Sequence, residues 1–319
     1  MEQIKNQTMI PEFVFLGFSA FPEPHLVFFL LFLAIYLTAL LGNGFILTTG
    51  WLDSGLHTPM YYFIRHLSFL DICYISVTLP HMLKNLVAEI KTISIQDCLA
   101  QLYFLVAFLG VECLLLAVMA YDRYLAICHP LTYAVFMNRK LCTGLVAASW
   151  TCGLLNAVMH TAMTAQLPFC ASHSLDHLFC DVPQLLKLSC QDTFLNQITL
   201  FVVTFLLGVS PFLCIVASYT HIVIAILRIR TTQGRHKAFS TCSSHLIVVS
   251  LFYSTCMFNY NRARASHSVL IDILASVLYN VVTPMLNPII YSLRNKEMKE
   301  ALKRILNPKN AILLLAPAY

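Results

Sequence analysis

The chain has 319 residues, of which 58% are hydrophobic and 11% are charged, and its formal net charge is +5. A soluble domain carries about 25% charged residues, so this composition excludes an ordinary water-soluble protein and favours lipid as the surrounding solvent. The basic residues are scattered over short segments, which argues against a nucleic-acid-binding protein.

Apolar segments follow one another along the whole chain. A membrane-spanning helix needs roughly 20 mainly apolar residues, because each residue rises about 1.5 Å through a hydrocarbon core of about 30 Å. Seven windows meet this need, at 26–50, 58–83, 99–122, 141–175, 193–227, 238–261 and 273–293. We therefore expect an all-α membrane protein, a seven-transmembrane helix bundle that occupies residues 26–293.

An odd number of spans places the two termini on opposite sides of the membrane, and basic residues favour the cytoplasmic side. With the N-terminus outside, 13 of the 20 Lys and Arg residues lie in cytoplasmic segments. We therefore expect a multi-pass plasma-membrane protein with an extracellular N-terminus, residues 1–25, and a cytoplasmic C-terminus. Asn6, in Asn6-Gln7-Thr8, is then a glycosylation acceptor. No cleavable signal peptide is evident, so the first helix should act as the insertion signal.

Four cysteines fall in outer segments: Cys98, Cys170, Cys180 and Cys190. An even set on the oxidising side favours disulfide bonds, and four cysteines permit three pairings. Three of the four lie in a long second extracellular loop at about 166–192. A loop of this length is usually functional, often as a lid over a site. The other eight cysteines are interpreted as small apolar fillers.

The third predicted helix has a charge pair at its inner end. Asp122-Arg123-Tyr124 lies 24 to 26 residues after Cys98, or roughly 36–39 Å along a helix, which is about one membrane thickness. An Arg that can exchange partners at this boundary suits a conformational switch. A simple interfacial anchor explains the same residues, and the pattern alone leaves both interpretations open.

Two acids lie deeper, Asp71 in the second helix and Glu112 in the third. Ionisable groups at this depth are costly and usually functional. With Asn43 and Asn287 as polar neighbours, they form a hydrated cluster that either holds a sodium ion or only joins the helices. The sequence leaves these alternatives open.

The last spanning segment and the tail have a distinct pattern. Pro284 and Pro288 flank Asn287 and permit a kink, with Tyr291 one turn further on. Residues 294–319 then form a cytoplasmic amphipathic helix and tail, since Met298, Leu302 and Ile305 follow helical spacing. We expect this short eighth helix, Lys296 to Leu306, to lie on anionic membrane lipid.

Six motifs in order resemble the odorant (olfactory) receptor branch of the rhodopsin-like G-protein-coupled receptors. The resemblance covers nearly the whole chain, and its most specific stretch is 119–131, MAYDRYLAICHPL. The other motifs are Gly42-Asn43, 56–61 with Leu67-Ser68 and Asp71, Ser218-Tyr219, 237–246 and 284–295. Three positions depart from the family: Ser254, 259–263 and Arg65-His66. The first two put the shape of the pocket and of the third outer loop in doubt.

The resemblance implies several roles. Cys98 would be bonded to Cys180, and Cys170 to Cys190. The activation switch would comprise Asp122, Arg123, Tyr124, Tyr219, Asn287, Pro288 and Tyr291. The receptor would bind small volatile odorants and activate a stimulatory, olfactory-type G protein that raises cyclic AMP. Copper binding at His177, Cys180 and Asp181 would need a free thiolate. The implied bridge removes that thiolate, so we favour a structural role there.

A ligand pocket for odorants should be enclosed and mostly apolar. Helical spacing on the inward faces of five helices selects its candidate residues. They are Leu105, Val106, Leu109, Gly110, Asn156, Val203, Thr204, Leu207, Tyr253, Cys256, Met257, Tyr260, Ser276, Tyr279 and Asn280. Plain helix packing is the competing interpretation for each. The upper third helix has no acid near Leu105, so we expect neutral ligands.

We expect arrestin as a further partner. Phosphates on the C-terminal tail commonly recruit arrestin, but no Ser or Thr follows Ser292 in this sequence. We therefore expect phosphorylation in the third cytoplasmic segment, at Thr231, Thr232, Ser240, Thr241, Ser243 or Ser244. A channel or transporter is the rival class, but no internal repeat is visible. No catalytic motif for an enzyme is present either. A chemosensory role outside olfactory tissue stays open.

Overall fold

Long helices dominate the computed structural model, which describes residues 12–20, 25–170, 174–262, 273–274, 276–294 and 296–306. The helices are α1 His25–Leu52, α2 Pro59–Val87, α3 Ile95–Cys128, α4 Arg139–Ala165, α5 Phe194–Arg228, α6 Thr232–Arg262, α7 Thr283–Arg294 and α8 Lys296–Leu306. Shorter helical segments lie at Gly17–Ala20, Ser54–Leu56, Tyr133–Phe136 and Val182–Lys187. A π-helical turn, Phe205–Val209, interrupts α5, and another, Leu278–Val282, precedes α7.

Helix starts coincide with residues that cap or fix the first turn. The Ser94 hydroxyl accepts a hydrogen bond from the Asp97 N–H at 3.0 Å at the start of α3. The Asn138 side chain accepts one from the Leu141 N–H at the start of α4. Each cap satisfies a backbone N–H that would otherwise lack a partner. Pro59 suits the first turn of α2 because proline has no backbone N–H that would need a partner.

Four helices of the described residues are long and apolar enough to cross a membrane: α1, α3, α4 and α5. A shorter apolar stretch, Cys242–Met257, lies within α6. The 29-residue α2 is more polar, since it contains Arg65, His66, Asp71 and Lys84. Length and composition thus establish apolar helices suited to membrane spanning, and they single out four of the seven that the sequence predicts.

Helix α3 is the centre of the bundle and packs against α2, α4, α5 and α6. Its approach to α4 is close because two glycines meet there. A Cβ atom placed on Gly110 would lie 3.4 Å from the Gly153 Cα, and one on Gly153 would lie 2.7 Å from the Ala107 carbonyl oxygen. Small residues at a helix crossing let two backbones approach each other within a membrane.

A small three-stranded sheet lies at the end of the bundle where α2 ends and α3 begins, in a region where the sequence predicts only loops and a tail. Strand β1, Glu12–Phe15, pairs antiparallel with β2, Thr92–Ser94, and parallel with β3, Ser174–Leu175. Alternation along β1 turns Phe13 and Phe15 into the core, where both are almost fully buried. The predicted glycosylation acceptor Asn6 lies outside the described residues.

Helix α8 follows α7 closely and divides into two faces. Met298 and Ala301 are buried, whereas Lys299, Glu300 and Lys303 are exposed. Arg304 donates a hydrogen bond from Nε to Asp53 Oδ2 at 2.8 Å, which joins α8 to the segment after α1. This hydrogen bond lowers the pKa of the Asp53 carboxyl below its usual value.

Candidate functional site: an apolar cavity beside the long loop

A cavity of about 220 Å³ lies between α3, α4, α5 and α6. Its walls are mostly apolar, with Val106 and Leu109 from α3 and Leu200 and Leu207 from α5 among them. For scale, an apolar cavity of about 150 Å³ in another protein holds a benzene molecule. The cavity therefore has the size and lining of a site for one small, mainly apolar molecule.

The structure places ten of the fifteen predicted ligand residues on this cavity. They are Val106, Leu109, Gly110, Asn156, Val203, Thr204, Leu207, Tyr253, Cys256 and Met257. Helical periodicity brings them together, since each helix presents positions three or four apart to the same side. Tyr253 is held between two neighbours, with its ring 4.8 Å from that of Phe212 and its hydroxyl 3.5 Å from the Gly208 carbonyl oxygen.

The remaining five predicted residues lie elsewhere. Leu105, Tyr279 and Asn280 line a smaller neighbouring cavity of about 30 Å³, which shares Val106 and Leu109 with the first. Ser276 lines neither cavity and accepts hydrogen bonds from the Asn280 amide, while the Asn280 oxygen accepts one from Tyr74. The hydrogen bond from Tyr74 joins the segment before α7 to α2. The side chain of Tyr260 lies outside the described residues.

Sequence reasoning missed nine lining residues. They are Cys113, His160, Asp181, Val182, Leu200, Gly208, Val209, Phe212 and Phe252. Several were within reach of the same periodicity, because Cys113 follows Gly110 by three residues and His160 follows Asn156 by four. Asp181 and Val182 belong to the long loop, where no helical spacing exists to reveal them.

Asp181 is the acidic residue in the lining of the cavity. Its carboxylate accepts a hydrogen bond from the Val182 N–H at 2.8 Å. Burial raises the pKa of this carboxyl above its usual value, although the nearby His177 and the backbone hydrogen bond act in the opposite direction. Asp181 therefore offers hydrogen-bonding oxygens to a ligand at a place where negative charge is disfavoured.

Two disulfide bonds hold the loop above the cavity. Cys98 at the outer end of α3 is bonded to Cys180, and Cys170 is bonded to Cys190 within the loop. The Gln101 side chain accepts a hydrogen bond from the Cys180 N–H at 2.9 Å. Leu178, Phe179 and Cys180 are almost fully buried, and the next two residues, Asp181 and Val182, line the cavity, so this part of the loop forms one of its walls.

A polar cluster comprising Asn43, Asp71, Glu112 and Asn287 lies among buried residues below the cavity. The Asn287 amide donates to both carboxylate oxygens of Asp71, at 3.0 and 3.2 Å. Asn43 donates to the Pro284 carbonyl oxygen at 3.1 Å and so joins α1 to α7. Glu112 Oε1, Asn43 Oδ1 and Asn287 Oδ1 are buried without a hydrogen-bond partner among the described residues.

The predicted switch residues Asp122 and Arg123 lie near the C-terminal end of α3. The Nε of Arg123 lies 3.6 Å from Asp122 Oδ2, and the other oxygen of Asp122 accepts a hydrogen bond from Tyr133 at 2.8 Å. Tyr219 contacts His245, with 2.7 Å between its hydroxyl and His245 Nδ1.

The other predicted switch residues have separate surroundings. Tyr124 lies 3.0 Å from the His129 ring nitrogen, and Tyr291 is buried without a hydrogen-bond partner for its hydroxyl among the described residues. Pro288 is buried in α7 against α1, because a Cβ on Gly42 would lie 3.0 Å from its Cγ. Asn287 and Pro288 thus lie where α7 meets α1 and α2.

Known proteins resemble this chain over nearly all of its length. The family model described as "Olfactory receptor" matches residues 32–309. The human protein named olfactory receptor 1F1 is 50% identical over 300 residues, which cover 94% of this chain and 96% of the relative. Human olfactory receptor 1J2 is 48% identical over 301 residues, covering 94% and 96%. Olfactory receptor 1468 of Rattus norvegicus is 48% identical over 311 residues, covering 98% and 99%.

Proposed function

Because the chain belongs to the olfactory receptor family of rhodopsin-like G-protein-coupled receptors, we propose that it binds a small, neutral and mostly apolar odorant in the cavity of about 220 Å³. The observation that carries this proposal is the largely apolar lining of the cavity, to which a disulfide-bonded loop contributes Asp181 and Val182. Relatives of this family are receptors, and the chain is accordingly a receptor and no enzyme.

Seven membrane crossings are part of the proposal. In addition to the four helices that qualify by length and composition, α2, α6 and the helix that ends in α7 would span the bilayer. The N-terminus would then be extracellular and the C-terminus cytoplasmic, as the distribution of basic residues predicts. Epitope tags at the two ends should be detected on opposite faces of the plasma membrane, and detection on one face would contradict this topology.

Signalling would pass through the inner ends of α3, α5 and α6 to a stimulatory, olfactory-type G protein. The contacts that support this join three helices: His245 of α6 lies 2.7 Å from the Tyr219 hydroxyl of α5 and 3.2 Å from the Leu116 carbonyl oxygen of α3. A ligand that favours another arrangement shifts the population toward it. Arrestin would end the signal, and Thr231 and Thr232 are exposed in the third cytoplasmic segment, where a kinase can reach them.

A sodium ion is proposed in the polar cluster formed by Asn43, Asp71, Glu112 and Asn287. Carboxylate and amide oxygens suit a hard cation, and three of these buried oxygens lack a hydrogen-bond partner among the described residues. Replacing sodium by a large organic cation should raise basal signalling in the native receptor. The Asp71→Asn variant should not respond to the replacement, and an equal response in both would contradict a site here.

The decisive experiment is a cyclic AMP assay in cells that express the receptor, with a panel of neutral volatile compounds. Gly110→Ala adds a methyl group to the cavity, and its nearest neighbour would be the Gly153 Cα at 3.4 Å. We expect this variant to lose at least tenfold in potency toward the largest active compounds while it retains small ones.

Controls separate binding from signalling. Gly144→Ala should leave all potencies unchanged, because no atom lies within 4 Å of its new Cβ. Tyr253→Ala should weaken the response to every active compound, and Arg123→Ala should abolish cyclic AMP production without removing ligand binding. A strict preference for protonated amines would contradict the proposal. Equal effects of Gly110→Ala and Gly144→Ala on potency would contradict it as well.

A further inference from the structure

A second opening, of about 970 Å³, lies on the side of the bundle between α1, α2 and α4, apart from the ligand cavity. Its lining combines two kinds of side chain. Arg65, Arg139, His57 and His66 supply basic groups, and Trp51, Phe69 and Trp150 supply aromatic ones. No Asp or Glu is among the described residues that line it. We call this feature the basic crevice.

Arg65 is held in the basic crevice by specific contacts. Its Nη1 donates to the Gly50 carbonyl oxygen at 3.2 Å, and its guanidinium carbon lies 5.4 Å from the Trp51 ring centre and 5.7 Å from that of Tyr62. A Cβ on Gly50 would lie 2.8 Å from the Arg65 Cδ, so the glycine gives this side chain its place against α1.

The positive charge in the basic crevice is not neutralised within the described part of the chain. The ion pairs found there are Arg123 with Asp122 and Arg304 with Asp53, and neither involves Arg65 or Arg139. The Nε of Arg65 is buried and has no hydrogen-bond partner among these residues. Arg65 and Arg139 both line the crevice, and the planar fork of N–H donors on a guanidinium matches the oxygens of a phosphate group.

The two kinds of lining residue lie at different depths. Arg139 begins α4 and Arg65 lies about 9 Å along α2, whereas Phe69 and Trp150 lie about 15 Å from the starts of the same helices. The rings of Phe69 and Trp150 are 5.9 Å apart, and 48% of the Phe69 surface is exposed. The crevice thus has a basic mouth and an aromatic interior.

From this arrangement we infer that the basic crevice binds an anionic phospholipid of the inner leaflet, with its phosphorylated headgroup at Arg65 and Arg139 and an acyl chain along Phe69 and Trp150. Basic pockets between helices on the cytoplasmic side are suited to such headgroups. A free phosphate would bind the basic residues but leave the exposed aromatic rings uncovered. A lipid has a headgroup for the first and an acyl chain for the second, so the arrangement favours a lipid. The inference rests on the proposed orientation, in which this end of the bundle is cytoplasmic.

The test is lipid binding to the purified full-length receptor, measured by native mass spectrometry with phosphatidylserine and with phosphatidylcholine. Phosphatidylserine should bind more tightly. Arg139→Gln should weaken its binding about fivefold, since one basic residue near a membrane surface contributes about 1 kcal/mol. Lys140→Gln, which removes the same charge from the neighbouring exposed position outside the crevice, should leave the affinity within twofold.

A second pair of variants keeps the charge constant. Gly50→Ala displaces Arg65 and should also weaken phosphatidylserine binding severalfold, whereas Gly44→Ala on the same helix meets no atom within 4 Å and should not. Equal effects of Arg139→Gln and Lys140→Gln would overturn the inference, because they would indicate only diffuse charge. Equal binding of the two lipids, or equal binding of soluble glycerophosphoserine, would overturn it as well.

The two proposals fail separately. Lipid binding to purified receptor needs neither odorant nor G protein, so loss of the cyclic AMP response would leave the crevice result intact. Reversed epitope tags would overturn the orientation and thus the choice of the inner leaflet, whatever the mass spectra show.

Discussion

His245 connects three helices through its two ring nitrogens at the inner end of the bundle. Its Nε2 lies 3.2 Å from the Leu116 carbonyl oxygen in α3, and its Nδ1 lies 2.7 Å from the Tyr219 hydroxyl in α5. A carbonyl oxygen can only accept, so Nε2 carries the proton and Nδ1 accepts from Tyr219. The rings of Tyr219 and His245 are also stacked, with centres 5.7 Å apart.

Tyr219→Phe tests the importance of this contact. The change leaves the buried Nδ1 of His245 without its donor, which costs about 1–3 kcal/mol. We expect the melting temperature of the purified receptor in detergent to fall by at least about 2–4 °C. Tyr121→Phe, at a tyrosine with 41% of its surface exposed, should leave it unchanged. An unchanged Tyr219→Phe melting curve would show that the contact contributes nothing to stability.

At the scale of elements, the crossing of α3 and α4 depends on a missing side chain. A Cβ on Gly153 would lie 2.5 Å from the Val111 Cγ2 and 2.7 Å from the Ala107 carbonyl oxygen, so part of the obstacle is backbone and cannot rotate away. The same crossing includes Gly110, which lines the ligand cavity. Helix packing and cavity shape are therefore set by the same pair of residues.

Gly153→Ala should force the two helices apart. Overpacking of a tight interface typically costs about 1–3 kcal/mol, so we expect a lower melting temperature and a smaller fraction of receptor at the cell surface. Gly144→Ala lies on the same helix without a neighbour within 4 Å and is the matched control. Equal melting temperatures for Gly153→Ala and Gly144→Ala would contradict the close approach of α3 and α4 at Gly153.

At the scale of the whole molecule, a segment near the N-terminus is bound to two distant loops. The Phe15 N–H donates to the Lys91 carbonyl oxygen at 2.8 Å, and the Leu16 N–H donates to the Leu175 carbonyl oxygen at 2.9 Å. Phe15 also contacts Phe18 and His81 edge to face. Together with the disulfide bond between Cys98 and Cys180, these contacts cover the outer end of the bundle.

Phe15→Ala should therefore affect the receptor as a whole. Removing a buried Phe side chain costs about 3–5 kcal/mol, so we expect lower thermal stability and a weaker response to every odorant at equal surface expression. Leu16→Ala changes the next residue, which is exposed, and should have little effect on either. If Phe15→Ala and Leu16→Ala had the same thermal stability, β1 would not contribute to the stability of this end of the bundle.

Periodicity and motifs in the sequence anticipated much of the architecture and part of the site. The predicted window 26–50 corresponds to α1 His25–Leu52, and the predicted loop 166–192 begins where α4 ends at Ala165. Ten predicted ligand residues lie on the cavity because residues three or four apart on a helix share one face. Periodicity gives no relation between different helices, so it did not reveal that Leu105, Tyr279 and Asn280 line a smaller neighbouring cavity.

The sequence by itself determined that the chain is helical and suited to lipid, and which family it belongs to, because composition, apolar windows and ordered motifs are local properties. Tertiary structure alone decided that Asp181 enters the cavity wall, that Glu12–Phe15 pairs with two loops, and that Arg65 and Arg139 share one crevice. These features join residues far apart in the chain. Their proximity depends on how the helices and loops pack, which no local pattern encodes.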